Sequence, residues 1–176
     1  VPDGSEVYCK NVILPSKVYD QDVEPIIYLR NKLRHSSSDL DSKIYISRSL
    51  RRKISNENSL RVVLQKRGFR IVKCEIMSFD EQAKLFSTAS VIIGPHGAGM
   101  TNVLFAKNNA KILEMRNQTY HGNCYLLLCN KLGFNYYNLY GKGHRVQKFE
   151  KSDTELLADI EVDLGDLTHT LDMMGV

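Results

Sequence analysis

The chain has 176 residues, of which 43% are hydrophobic and 25% are charged, a balance that is ordinary for one globular domain with its own core. No apolar run approaches the roughly 20 residues of a membrane-spanning helix, and the first residues do not form a signal peptide. The four cysteines lack the C-x-x-C spacing of metal sites, so neither a metal nor a disulfide is predicted for them. The first residue is Val rather than Met, which suggests a processed or excised segment.

Positive charge is concentrated in one part of the chain. The formal net charge is only +4, but residues 43–73 contain ten Lys or Arg against a single acidic residue, Glu57. Such a concentration favours an anionic ligand. A nucleic-acid-binding module is one alternative, but these basic residues are not interleaved with exposed aromatic residues, so no nucleic-acid partner is predicted.

Helix and strand patterns alternate along the chain. Apolar residues three and four apart predict helices, which begin after cap residues such as Asn56 and Ser78 and end at glycines such as Gly68 and Gly133. The predicted helices cover 25–34, 57–67, the segment after Ser78, 121–132, and a last segment holding Leu156, Leu157 and Ile160. Short apolar runs predict strands at 43–47, 69–74, 91–93, 111–115 and 134–140.

This alternation predicts an α/β fold, a Rossmann-like doubly wound parallel sheet with helices on both faces. Residues 41–145 are expected to form the core, residues 1–40 a strand and helix segment that packs on it, and residues 146–176 a loop and helix. Open parallel sheets bind ligands at the carboxyl ends of their strands. The polar residues that follow the strands should therefore converge at that edge.

One of these strand ends runs into a glycine-rich segment, residues 94–102, which we call the glycine turn. Gly94, Gly97 and Gly99 allow a tight backbone and close approach of a ligand to N–H groups. A helix is predicted to follow directly, and the first N–H groups of a helix are unpaired donors at the positive end of its dipole. The glycine turn is therefore predicted to hold an anion such as phosphate.

Four segments of the chain, at residues 44–57, 77–82, 94–102 and 112–115, together resemble the glycosyltransferase family 61 domain in their order and spacing. The resemblance covers roughly residues 40–140. Its segments are IYISRSLRRKISNE at 44–57, MSFDEQ at 77–82, GPHGAGMTN at 94–102 and ILEM at 112–115. The resemblance implies inverting transfer from a nucleotide sugar, typically a UDP-sugar, to a glycan or polysaccharide acceptor. It also implies one half of a GT-B fold, the C-terminal half that binds the donor, with no cofactor and no metal.

The resemblance also implies a missing part. In GT-B enzymes the N-terminal half supplies much of the acceptor site and often the catalytic base, and only about forty residues precede Ile44. Either the chain is one domain of a larger enzyme, with the N-terminal GT-B half as its partner, or it is a reduced protein that binds without transferring.

Basic residues after the first core strand are the candidates for holding the donor diphosphate. Arg48 and Arg52 offer planar guanidinium donors, and one of Arg51 and Arg52 is expected to point inward. The alternative is a solvated basic face. Further donor contacts are expected from backbone or side-chain groups of the glycine turn, namely Gly97, Ala98, Gly99, Thr101 and Asn102.

His96 is the candidate catalytic residue, because an imidazole on an exposed turn could stabilise the charge of the departing phosphate. Glu114 could accept hydrogen bonds from the ribose hydroxyls, or form an ion pair with Arg116. Gln82 and Ser78 could contact the base, although Ser78 is also a helix cap. Replacing His96 or Arg48 by Ala is expected to weaken UDP binding with little change in melting temperature.

Three further possibilities are weighed against this function. Asp39-Leu-Asp41 has a spacing used by some metal-dependent transferases, but it precedes a strand, and a solvated loop is predicted instead. The run Gly97 to Asn102 approaches the dinucleotide fingerprint of an NAD(P)-dependent oxidoreductase but lacks its third glycine. The compartment stays open, because the cysteines suit a bacterial cytoplasm whereas the sequon Asn117-Gln-Thr119 would suit a secretory lumen.

Overall fold

The computed structural model describes residues 24–33, 41–118, 122–142 and 158–176. Within these ranges the strands are β1 (Ser42–Ile46), β2 (Phe69–Val72), β3 (Ala89–Pro95), β4 (Lys111–Arg116) and β5 (Asn135–Tyr140). The α-helices are α1 (Glu24–Leu33), α2 (Glu57–Lys66), α3 (Phe79–Ser87), α4 (Cys124–Leu132) and α5 (Leu164–Met173). Two 3-10 helices, Cys74–Ile76 and Ala98–Phe105, complete the set.

The strands form one parallel sheet in the order β2-β1-β3-β4-β5. Tyr45 of β1 lies opposite Ile71 of β2 on one side and Ile93 of β3 on the other. Ile93 in turn lies opposite Leu113 of β4. Val91, Ile92 and Ile93 are all buried, as an uninterrupted apolar run in a central parallel strand requires. The structure confirms the predicted Rossmann-like α/β class.

The strand order creates a switch point between β1 and β3. From β1 the chain moves outward to β2, and then returns past β1 to β3, β4 and β5. The connections on the two sides therefore leave a crevice between the carboxyl ends of β1 and β3, where sheets of this order bind their ligands. The residues that follow these strand ends are Ser47 and Arg48 on one side, and His96 and Gly97 on the other.

Each face of the sheet is covered by its own helices. On one face, α2 and α5 pack over an apolar cluster that includes Tyr45, Ile93, Leu113 and Leu171. On the other face, α3, α4 and the 3-10 helix Ala98–Phe105 pack over a second cluster, whose strand residues include Ile44, Ile46, Ile92 and Ile112. We refer to them as the α2/α5 face and the α3/α4 face. The sheet is thus buried on both sides by the alternation of side chains along each strand.

Several helix ends follow the sequence signals. Gly68 and Gly133 have φ values of +81° and +68°, the left-handed conformation that ends a helix. Ser78 begins α3 with a capping box, because its hydroxyl accepts from the backbone N–H of Glu81 while the Glu81 carboxylate accepts from the backbone N–H of Ser78.

Two predictions about local structure are wrong. The side chain of Asn56 does not cap α2; its amide donates to the carbonyl of Val162 at 2.7 Å and accepts from the Val162 N–H at 3.0 Å. Ile160 is not helical but pairs with Ile54 in an isolated parallel bridge. The last helix, α5, begins later, where Asp163 accepts from the N–H groups of Gly165 and Asp166. Leu156 and Leu157 lie outside the described residues.

Helix α1 lies against the 3-10 helix Ala98–Phe105. The buried guanidinium of Arg30 donates to the carbonyls of Leu104 and Ala106 and to the side chain of Asn108, and it also stacks over the ring of Phe134. These carbonyls end the 3-10 helix, so a cation is well placed there. In the part of the chain that the structure describes, no helix has the length and apolar character needed to cross a membrane.

Candidate active site

The glycine turn lies at the carboxyl end of β3, beside the switch point, and it leads into a 3-10 helix rather than the predicted α-helix. The first bond of that helix runs from the N–H of Met100 to the carbonyl of Gly97, at 2.8 Å. A Cβ at Gly94 would lie 3.0 Å from the Ile46 Cβ, and one at Gly99 would lie 3.1 Å from the Ile46 Cγ2. Two of the three glycines therefore serve close packing against β1.

Gly97 makes room for Arg48. The Arg48 guanidinium donates from Nη1 to the carbonyl of His96 at 2.6 Å. A Cβ placed on Gly97 would lie only 1.5 Å from the same Nη1 atom. The guanidinium thus fills the space that a side chain at position 97 would occupy. In this way the arginine after β1 reaches the turn after β3.

A second arginine lies near the first. Arg51 is exposed, whereas Arg52 is half-buried and adopts φ +55°, a left-handed conformation that is uncommon for a residue with a long side chain. Burial, and then the like charge of Arg52, lower the pKa of the Arg48 guanidinium from its ordinary value. The two guanidinium groups therefore lie close enough to interact, and the carboxylate of Glu75 acts on the pKa of Arg48 in the opposite direction.

His96 is buried rather than exposed on its turn, with 6% of its surface accessible. Its backbone N–H donates to the carbonyl of Met115 at 2.9 Å, which extends the pairing of β3 with β4. Its ring nitrogen Nδ1 contacts Glu114 Oε1, and its ring lies 5.2 Å from that of Tyr125, centroid to centroid. The imidazole is therefore held in a fixed position at the base of the glycine turn.

Glu114 lies deeper still, with 1% of its surface accessible. One carboxylate oxygen contacts His96, and the other accepts from the hydroxyl of Tyr136. Arg116, the expected ion-pair partner, instead donates to Asn138 Oδ1 at 2.8 Å and to the carbonyl of Gly122. In this arrangement both oxygens of Glu114 are engaged inside the domain, one by His96 and the other by Tyr136.

Gln82 and Asn102 form a hydrogen-bonded pair that connects α3 to the glycine turn, whereas the side chain of Ser78 is used as the cap of α3. Asn102 donates to Gln82 Oε1 at 2.7 Å and to the carbonyl of Gly99 at 3.2 Å. Gln82 donates to the carbonyls of Cys74 and Met77 at 3.1 and 3.0 Å. These contacts hold the turn against the segment after β2. Thr101 and Ala98 are exposed at the surface of the turn.

Two tyrosines of this site were not predicted from the sequence. The hydroxyl of Tyr125, on α4, donates to the carbonyl of Gly97 at 2.6 Å and lies 3.4 Å from the hydroxyl of Thr101. Tyr136, on β5, binds Glu114, and burial followed by this hydrogen bond raises the pKa of its hydroxyl. The available signal was the parallel register, because Tyr136 lies opposite Ile112 and so shares a face with Glu114.

Other polar residues singled out in the sequence lie away from this site. Asp41 is exposed and forms an ion pair with Lys107 at 3.3 Å, while Asp39 lies outside the described residues. Among the residues that the structure describes, no group of three or more His, Cys, Asp or Glu side chains is arranged to hold a metal ion. Asn117 of the sequon is buried at the end of β4.

The fold and the site define a class of protein: a parallel α/β domain with arginines and a glycine turn at its switch point, where such domains bind phosphate compounds. The chain belongs to the glycosyltransferase 61 family, whose model matches residues 1–113. This match confirms the family resemblance. It covers β1, the glycine turn and His96, and it ends one residue before Glu114.

Two curated relatives agree with this family. The chain is 34% identical over 96 residues to an EGF domain-specific O-linked N-acetylglucosamine transferase of Drosophila melanogaster. The matched residues cover 52% of the chain and 18% of that protein. It is 35% identical over 72 residues to a beta-1,2-xylosyltransferase, RCN11, of Oryza sativa subsp. japonica. This match covers 40% of the chain and 14% of that protein. The matched parts thus span less than a fifth of either relative.

Proposed function

We propose that this domain binds the nucleotide-sugar donor of an inverting GT-B glycosyltransferase, with a UDP-sugar as the donor. The observation that supports this proposal is the contact of Arg48 with the glycine turn, at the switch point of a parallel sheet, with the charge of Arg52 close enough to lower the pKa of Arg48. Guanidinium groups bind diphosphate oxygens through paired, charge-assisted hydrogen bonds. Membership of a glycosyltransferase family makes a sugar nucleotide the expected diphosphate and leaves the oxidoreductase alternative without support.

The diphosphate would lie over the exposed side of the glycine turn. Arg48 reaches this place from the end of β1. Arg52, in the loop after it, is half-buried and its charge acts on Arg48. Ala98 and Thr101, two exposed residues of the turn, would supply a backbone N–H and a hydroxyl as further donors. His96, at the base of the turn, would stabilise the negative charge that develops on the leaving diphosphate. No metal ion is assigned to this step.

The remainder of the reaction is assigned to protein outside this chain. We infer that a second GT-B half supplies the acceptor site and the catalytic base, and that the acceptor is a glycan or polysaccharide. The two relatives are named for transfer of different sugars, N-acetylglucosamine and xylose, so the sugar is not assigned. A protein that binds a nucleotide sugar without transferring it is the second candidate, because the matched region is a small share of each relative.

Calorimetric titration of the 176-residue chain with UDP tests the donor site. We expect UDP to bind with a dissociation constant between about 1 μM and 1 mM, roughly −8 to −4 kcal/mol, with equal affinity in magnesium and in EDTA. GDP, CMP and NAD should bind more weakly. Binding of NAD in preference to UDP would contradict the proposed donor, and sugar transfer by this chain alone would contradict the need for a second half.

A further inference from the structure

Three side chains from three neighbouring strands form a buried polar chain on the α3/α4 face. His96 follows β3, Glu114 lies on β4 and Tyr136 lies on β5. The imidazole Nδ1 contacts one carboxylate oxygen of Glu114, and the Tyr136 hydroxyl donates to the other. A carboxylate that is 1% accessible needs such partners, because an uncompensated buried charge is strongly destabilising.

We propose that Glu114 is a positioning residue for His96: together with Tyr136 it keeps a proton on Nδ1 of the imidazole, so that the ring meets a bound ligand through Nε2. This role rests on the proposed function, in which the ligand of the glycine turn is a diphosphate. Glu114 itself does not contact the ligand, since both of its oxygens are occupied beneath His96.

The donor and acceptor roles follow from the chemistry of the three groups. An ionised carboxylate only accepts hydrogen bonds, so the ring nitrogen that faces Glu114 must carry a hydrogen. The nitrogen across the ring, Nε2, is then the atom that takes up a second proton when a phosphate approaches. The resulting imidazolium would be balanced by Glu114 on one side and could donate a charge-assisted hydrogen bond to the diphosphate on the other.

Among the described residues, Tyr125 and Arg48 also contact His96, and neither of these two provides this balance. Tyr125 presents its ring from α4, and Arg48 approaches from the end of β1 and binds the carbonyl of His96. One is neutral and the other is a cation. Glu114 is an anion in direct contact with Nδ1 of His96, which is why its replacement should change the protonation of the ring.

Glu114→Gln tests the assignment with little change in shape. If Tyr136 still donates to the amide oxygen, the amide N–H₂ group must face Nδ1, and the imidazole proton should move to Nε2. Adding Tyr136→Phe removes the donor that fixes the amide, so either the amide oxygen or the N–H₂ group can face Nδ1 and the ring should no longer be held in one tautomer. Glu57→Gln is the matched control, because Glu57 also accepts from a tyrosine, Tyr45, at 2.8 Å, but on the α2/α5 face and without a histidine.

Nitrogen-15 NMR of the imidazole at about pH 8.5, where an ordinary histidine is neutral, reports which nitrogen carries the proton. The His96 signals are assigned by their loss in His96→Gln. We expect Nδ1–H in the wild type and in Glu57→Gln, Nε2–H in Glu114→Gln, and a mixture of the two forms in the double variant. An Nε2–H form in the wild type, or an unchanged form in a folded Glu114→Gln, would overturn the assignment. The wild-type spectrum decides the question even where a variant does not fold.

Titration of the same proteins with UDP separates this inference from the function on which it rests. Glu114→Gln should bind UDP about fivefold to tenfold more weakly than Glu57→Gln, because a charge-assisted hydrogen bond becomes a neutral one. If the wild type does not bind UDP, the proposed donor site fails, while the NMR result still decides what Glu114 does to His96. If the tautomer changes and UDP affinity does not, Glu114 does not position His96 for the ligand.

Discussion

The two faces of the sheet each contain a tyrosine bound to a glutamate, and the two pairs are built in opposite ways. On the α2/α5 face the phenol of Tyr45 is buried and Glu57 lies near the surface, at the start of α2. On the α3/α4 face the carboxylate of Glu114 is buried and Tyr136 is half-buried. Burying a phenol costs little, whereas burying a carboxylate is expensive. The first pair therefore joins a helix to a strand, while the second retains a charge beneath the glycine turn.

Removing each glutamate in turn gives the largest expected difference between the faces. Glu114→Ala leaves the ring nitrogen of His96 and the hydroxyl of Tyr136 without their buried partner, and it should lower the free energy of unfolding by about 3 kcal/mol. Glu57→Ala should lower it by about 1 kcal/mol, because water can replace a carboxylate near the surface. Urea denaturation of both variants measures the difference. Equal losses would mean that the two pairs are equivalent supports of the fold.

Arginines offer a second comparison, this time of ligand affinity. Arg48→Ala should weaken UDP binding by about tenfold to a hundredfold, the loss of a charge-assisted contact of about 1.5–3 kcal/mol. Arg67 is the matched control, because it donates to Asp172 and to the carbonyl of Val176 at the edge of the α2/α5 face. Arg67→Ala should leave UDP affinity unchanged in the same calorimetric titration. If the two variants bind UDP equally well, the Arg48 guanidinium is not a phosphate contact.

Two glycines separate ligand binding from backbone strain. Gly97→Ala would place a Cβ 1.5 Å from Arg48 Nη1, so the guanidinium must move and UDP binding should weaken by about tenfold. Gly133 ends α4 with φ +68° and has no atom within 4 Å of its Cβ position. Gly133→Ala should therefore cost about 1 kcal/mol of stability through its left-handed conformation and leave UDP binding unchanged. Calorimetry and thermal melting of both variants distinguish these effects, and a stronger effect of Gly133→Ala on UDP affinity would contradict this placement of Arg48.

The difference between the faces also marks how far the sequence could predict the structure. The predicted strands lie close to the observed ones, because an uninterrupted apolar run such as Val91 to Ile93 is a local signal. Gly68, Ser78 and Gly133 mark helix ends through local chemistry. The prediction that Asn56 caps α2 was wrong, because its amide binds Val162, more than a hundred residues away, instead of its own helix. Whether a polar side chain serves a local or a distant partner is a property of packing, which the pattern along the chain does not contain.

The candidate site shows the same limit. Placing Arg48 beside the glycine turn needed only the rule that parallel strands end at one edge of the sheet. The contacts of Glu114 with His96 and Tyr136 were not predicted from the sequence, because the register of β3, β4 and β5 brings these residues together. The burial of Glu114 also changes the expectation for His96→Ala: removing the imidazole leaves a buried carboxylate with one partner fewer, so this variant should lose stability as well as UDP affinity.

The smallest expected difference between the faces is in their response to alkali. Burial, and then the negative charge of Glu114, raise the pKa of the Cys129 thiol to about 12, against an ordinary value near 9. The folded protein therefore keeps this thiol neutral where the unfolded chain ionises it. Its contribution to stability is complete below about pH 9 and is lost as the pH rises toward 12. Between pH 8 and pH 10 the free energy of unfolding should fall by about 1 kcal/mol through this thiol. The range ends near the ordinary pKa of tyrosine, about 10.

Cys129→Ala should make this part of the stability curve less steep, because position 129 then has no thiol to ionise in either state. Cys74, whose pKa burial also raises, to about 11, still contributes to the remaining slope. Cys124→Ala, on the exposed side of the same helix, is the matched control and should keep most of the wild-type slope, since Cys124 is less buried. Urea denaturation at pH 8, 9 and 10 measures the slopes. Parallel curves for the wild type and Cys129→Ala would show that the thiol is not held neutral by its surroundings. The α3/α4 face would then bury the charge of Glu114 without raising the free energy of ionising Cys129.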